Sequence, residues 1–139
     1  MNDKKLTRHE MREAALLILF QMQLNSGTLE EIIEDCEETF ELVHTKDSIK
    51  LVNGVIEHEE ELTDIISKYS PSRAVNRISV INMVIMKIAI YEMKYCDNVP
   101  DKVAINEAIE FSKEYAEKND VGFINGVLNA YFKENSTDA

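Results

Sequence analysis

The sequence is poor in the features that mark secreted, membrane-bound or catalytic proteins. Its two cysteines, Cys36 and Cys96, show no C-x-x-C spacing and no framework of the kind that staples small secreted domains. Both read as ordinary buried thiols. No apolar run reaches the roughly 18 residues of a membrane helix, and an amphipathic helix pattern stands where a signal peptide would need its cleavage site. A cytosolic protein with no membrane association is therefore expected. Asn135-Ser136-Thr137 matches a glycosylation sequon, but without a secretory signal it is only tail sequence. His9, His44 and His58 lack metal-ligand spacing, and neither a Gly-rich phosphate loop nor a serine elbow is present. No enzyme, metal or cofactor is expected.

Positive charge is scarce as well. Fifteen Lys and Arg face 26 Asp and Glu, for a net charge of -11. That balance excludes a protein that coats nucleic acid by general electrostatics, because phosphate binding needs local positive potential. The acid is concentrated. Seven acids and no base lie between Thr28 and Leu42, and a second cluster follows at Glu57, Glu59, Glu60, Glu61 and Asp64. In so acidic a chain a carboxylate pair is no sign of acid–base chemistry; each cluster reads as a solvated helix face. The N-terminus is the exception, with Lys4, Lys5, Arg8 and Arg12 against only Asp3 and Glu10.

What is present is helical periodicity. A length of 139 residues suits one domain with its own core. Thr7-Arg8-His9-Glu10 reads as a capping box, and the apolar run from Ala14 to Phe20 marks the helix behind it as central. Asn25-Ser26-Gly27 ends that helix. Thr28 to Glu31 is a second capping box, opening a helix with Leu29, Ile32, Ile33, Cys36 and Phe40 on one stripe. A third helix is expected from Lys46 to Tyr69, through Ile49, Val52, Val55 or Ile56, Leu62, Ile65 and Ile66. Ser70-Pro71 breaks the pattern and suits the start of a short helix, with Ser70 as N-cap. A strongly apolar helix spans about Ser79 to Tyr95. After the Asn98 to Asp101 turn, Ala104, Ala108, Phe111 and Tyr115 define the next helix, and a last one starts near Asp120. No alternating strand pattern of useful length occurs. The expectation is an all-α compact bundle of about seven helices in two packed groups, about 1–70 and 71–134, with Pro71 at the seam.

Arginine is the informative residue. The chain has four, in two pairs spaced i,i+4: Arg8 with Arg12 and Arg73 with Arg77. Both pairs sit near expected helix N-termini, where the macrodipole disfavours cations by about 0.3–1 kcal/mol each. Arg8 and Arg12 continue the stripe of Ala15 and Leu19, as if the core face turned basic where the first turns leave the bundle. Arginine forks match phosphate bidentately, which makes a phosphate backbone one candidate partner; the chain's own carboxylates are the other. Gly126 lies inside the last helix, off its apolar arc, where glycine costs about 1 kcal/mol relative to alanine and allows close approach of another surface. Phe123 sits at the edge of that arc, able to pack inward or to stack on a base.

Two stretches, VPDKVAINEAIEFSKEYA (Val99 to Ala116) and FINGVLNAYF (Phe123 to Phe132), resemble the NusB family of transcription antitermination factors. ISVINMVIMKIAIYEM (Ile78 to Met93) and the N-terminal RHEMREAALLILFQMQL are similar to the family's other signatures, so the resemblance runs end to end. The chain departs from the family where Asn82 and Lys87 replace a common acid and arginine, and where Val121 and Gly122 precede Phe123 in place of polar residues. The resemblance implies a non-enzymatic all-α RNA-binding adaptor of the RNA polymerase antitermination complex. Its implied partners are the box A RNA of ribosomal RNA leaders and the ribosomal protein NusE. The RNA-contact candidates are Lys4, Lys5, Arg8, Arg12, Tyr69, Arg73, Arg77, Asn119, Phe123 and Asn125. The basic residues would take phosphates, Tyr69 and Phe123 would stack, and Asn119 and Asn125 would read base edges. Asn106 and Glu107, off the apolar arc of their helix, are open to a functional role or to inter-helix hydrogen bonds. Two alternatives remain: an adaptor whose acidic faces dock a basic protein with marginal RNA contact, and the NusB-like domain of ribosomal RNA cytosine methyltransferases. The latter needs a Rossmann-like domain that this chain lacks.

Overall fold

The computed structural model describes residues 5–136, and within them it is all-helical, with seven α-helices and one short 3-10 turn. The helices group into two units, one reaching to Glu57 and the other starting at His58.

The first unit holds α1 (Arg8–Leu24), α2 (Leu29–Phe40) and α3 (Lys46–Glu57), with α1 packed on both others. Both expected capping boxes form. The Glu10 amide donates to Thr7 Oγ1 at 3.0 Å and the Thr7 amide to Glu10 Oε1 at 2.9 Å; Thr28 and Glu31 repeat the exchange at 3.2 and 2.8 Å. Ala14, Ala15, Leu16, Ile18 and Leu19 are buried, as a central helix requires. Leu51, Val52 and Val55 face them from α3, which leaves Ile56 exposed. Burying each large aliphatic side chain contributes about 1.5–3 kcal/mol. Phe40 departs from its expected stripe and is 52% exposed. It is the last residue of α2, and Glu41 just beyond it adopts a left-handed conformation, φ 52°, that ends the helix before its final turn can pack.

The second unit holds α4 (Glu59–Lys68), the 3-10 turn Val75–Arg77, α5 (Val80–Tyr95), α6 (Asp101–Tyr115) and α7 (Asp120–Asn135). Ser79 caps α5, which is buried without interruption from Asn82 to Ile90 because α4, α6 and α7 all pack against it. A helix apolar on every side needs such a central place. No described helix is long and apolar enough to cross a membrane.

The structure corrects three expectations. The helix expected from Lys46 to Tyr69 is two helices, interrupted at His58. No proline or glycine marks the break. The His58 ring stacks on Tyr95 with centroids 4.1 Å apart, and Glu59 and Glu61 reach Lys87 and Lys94 of α5, so contacts to α5 reset the helix start. The boundary between the units accordingly falls after Glu57 rather than at Pro71, because α4 packs on α5. Nor does Ser70 cap a helix. Its hydroxyl donates to the Arg73 carbonyl at 2.6 Å, closing a turn, and the helical piece is delayed to Val75.

Candidate nucleic-acid interface

The candidate residues fall in both units, and each set has its own geometry. In the first unit Lys5 and Arg8 are exposed, whereas Arg12 is only 2% exposed; Lys4 lies outside the described residues. The two arginines thus do not form one open face. Ser48, at the start of α3, is buried and its hydroxyl donates to the Met11 carbonyl at 3.2 Å, so α3 meets α1 next to Arg12. Arg12 is buried and engaged within the protein, whereas Arg8, one turn earlier, is exposed.

In the second unit the turn after α4 meets the start of α7. The Arg73 guanidinium carbon lies 4.0 Å from the centroid of the Phe123 ring, within the roughly 6 Å of an effective cation–π contact. Arg73 Nη1 also donates to Asp120 Oδ1 at 3.1 Å, and Asn82 Nδ2 donates to Asp120 Oδ2 at 2.9 Å. Asp120 suits the first turn of α7, where a carboxylate offsets the positive end of the helix dipole. Asn119, immediately before it, is exposed and makes no side-chain cap, which leaves its amide uncommitted. Arg77 is exposed on the 3-10 turn.

Tyr69 lies elsewhere. Its ring meets Tyr131 edge-on at 5.8 Å and its hydroxyl accepts from Asn135 Nδ2 at 3.2 Å. Tyr131 follows Phe123 by eight residues on one helix, about 12 Å along the axis at 1.5 Å per residue, so the two aromatic candidates are separate contacts. Lys68, not a candidate on sequence grounds, stands 5.3 Å over the Tyr69 ring and 3.0 Å from Glu134. The hydrogen bond from Lys68 holds the Glu134 carboxyl below the usual range and raises the lysine in turn. Asn125 is exposed; its carbonyl and amide oxygens accept from Asn129 Nδ2 at 2.9 and 2.7 Å. Gly122 and Gly126 are exposed, and a Cβ at either meets nothing within 4 Å. Asn106 is exposed and Glu107 is partly buried and engaged within the protein.

The pattern of the NusB family matches residues 9–133, nearly all of both units. The chain belongs to the NusB family. Among its relatives, the transcription antitermination protein NusB of Clostridium novyi is 34% identical over 132 residues, covering 92% of this chain and 99% of that one. T. maritima NusB, a solved structure, superposes with a TM-score of 0.81 at 33% identity, over 94% of each chain. A NusB solved together with NusE and double-stranded RNA shares the fold, with a TM-score of 0.78 at 22% identity over 91% of this chain and 96% of that one. The contacts of Arg73 and Asn82 to Asp120 were beyond sequence reasoning, since they join residues 47 and 38 positions apart.

Proposed function

We propose that this chain is a transcription antitermination factor that binds box A leader RNA of ribosomal RNA operons together with NusE, within the RNA polymerase antitermination complex of the cytoplasm. The observation that carries the reading is near full-length similarity to proteins of that function, at 34% identity over 132 residues. The site chemistry supports it. Lys5, Arg8 and Arg77 are exposed cations suited to phosphates, and Lys4 adds a further positive charge next to Lys5 in the sequence. Tyr69 and the Arg73–Phe123 pair offer flat surfaces to unpaired bases, and Asn119 and Asn125 offer amides to base edges. At a net charge of -11 the free protein repels a polyanion at long range, so its direct affinity is modest. A basic ribosomal protein would mask acid and add phosphate contacts.

Fluorescence anisotropy with labelled leader RNA, across a salt series, checks this with and without NusE. NusE should tighten binding, and the log–log salt slope should steepen by about 0.7 for each added single-strand phosphate contact. A scrambled RNA should bind more weakly. Equal affinity for both RNAs, unaltered by NusE, overturns the reading. The exposed acids of α2 favour one second reading, an adaptor that docks a basic protein with marginal RNA contact. Tight NusE binding without any leader preference is its signature.

A further inference from the structure

Sequence logic gives Arg73 to a phosphate and Phe123 to a base, as two independent contacts. Their geometry joins them. With the guanidinium carbon 4.0 Å above the ring centroid, Arg73 covers one face of Phe123, and that face is closed to any other stacking partner. The arginine is also held in place. Asp120 Oδ1 accepts from its Nη1 at 3.1 Å, while Asp120 Oδ2 accepts from Asn82 Nδ2 at 2.9 Å. Asn82 is fully buried, and its Oδ1 has no hydrogen-bond partner in the protein. Only one amide orientation works there, because the flipped form would set an oxygen against the carboxylate. An unsatisfied buried acceptor is unfavourable, so the arrangement gives up some stability to hold Asp120. The Arg73 side chain remains 33% exposed, against 19% for Asp120, so solvent reaches it beside the ion pair.

We infer that the outward face of the Arg73 guanidinium, laid on Phe123 and held by Asp120 and Asn82, is the platform on which one unpaired RNA base stacks. The inference rests on the RNA-binding reading above and specifies how this part of the site works. A guanidinium is planar and weakly hydrated, so it stacks between two π faces where an ammonium would not. Phe123 supports the cation from below and the base covers it from above. Asp120 is a positioning residue: it removes the rotamer freedom of Arg73 before the RNA arrives, so less is lost on binding.

Leader RNA carrying 2-aminopurine at one position at a time, titrated with the full chain and with Arg73→Lys, Arg73→Ala and Asp120→Asn, tests the platform. The wild type should quench one position through stacking that depends on Arg73. Arg73→Lys keeps the charge, so the salt slope should hold while that quench disappears and affinity drops about 10-fold, within the range for one stacked base. Asp120→Asn should weaken the quench at the same position without lowering the melting midpoint by more than a few degrees. A quench that survives or deepens in Arg73→Ala makes Phe123 the platform and Arg73 only its cover, which overturns the inference. So does an Arg73→Lys variant indistinguishable from wild type, or wild-type binding with no quenched position. Should Arg73→Ala fail to fold, the lysine variant decides alone. Absence of any wild-type binding to leader RNA instead sinks the RNA-binding reading itself, and the platform with it.

Discussion

Arg8 and Arg12 show how far a residue's spacing can mislead about its surroundings. Both are one helical turn apart on one stripe, yet one is exposed and the other is 2% exposed. Charge reversal should therefore separate them. Arg8→Glu is expected to weaken leader RNA binding with the melting midpoint within a degree or two, since exposed substitutions change stability by about 0.5 kcal/mol or less. Arg12→Glu should destabilise by about 3 kcal/mol or more, because it places a charge of the wrong sign in a site built around a buried guanidinium. Circular-dichroism melts of the two single variants check this, and an Arg12→Glu protein as stable as wild type would mean that Arg12 swings into solvent at little cost.

At the scale of elements, capping explains where helices start and packing explains where they stop being one helix. Thr7, Thr28 and Ser79 each place a side-chain oxygen on an amide three residues ahead, and all three helices begin there. The break at His58 has no such local cause and follows from contacts to α5. Helix α7 offers a cleaner test of the surface. Gly126 is exposed with open space around its Cα, so leucine fits there and is the better helix former by up to about 1 kcal/mol. Gly126→Leu should melt at an equal or higher temperature while its affinity for RNA or NusE falls. Unchanged affinity for both ligands takes Gly126 off the interaction surface.

For the whole molecule, the excess of acid sets the pH response as well as the electrostatics of binding. Glu61 accepts from Lys94 Nζ at 2.6 Å and from the Tyr95 hydroxyl, and these bonds hold its carboxyl below the ordinary glutamate range. Lys68 does the same for Glu134. A depressed folded-state pKa contributes stability above the unfolded value, about 4.3 for glutamate, and that stability is lost as pH falls through the folded value. Urea unfolding of wild type and of Glu61→Gln with Glu134→Gln should differ most near neutral pH and converge below about pH 4. The difference should be small, since both carboxylates are exposed enough for water to screen their pairs. A gap that stays constant from about pH 7 to pH 3 would show that these pairs add nothing to folding.

The sequence by itself determined the all-α class, the starts of α1, α2 and α5, and the central place of α1 among the first three helices. Each depends on periodicity or on a cap whose partners lie within one turn of each other. Its end-to-end likeness to the NusB pattern was legible for the same reason, as runs of neighbouring residues. Only the tertiary structure decided that Arg12 is inside, that the helix after Lys46 divides at His58, and that Arg73 lies on Phe123 beside Asp120. Those outcomes depend on which helix covers which, and contacts between side chains 47 residues apart leave no periodic trace along the chain.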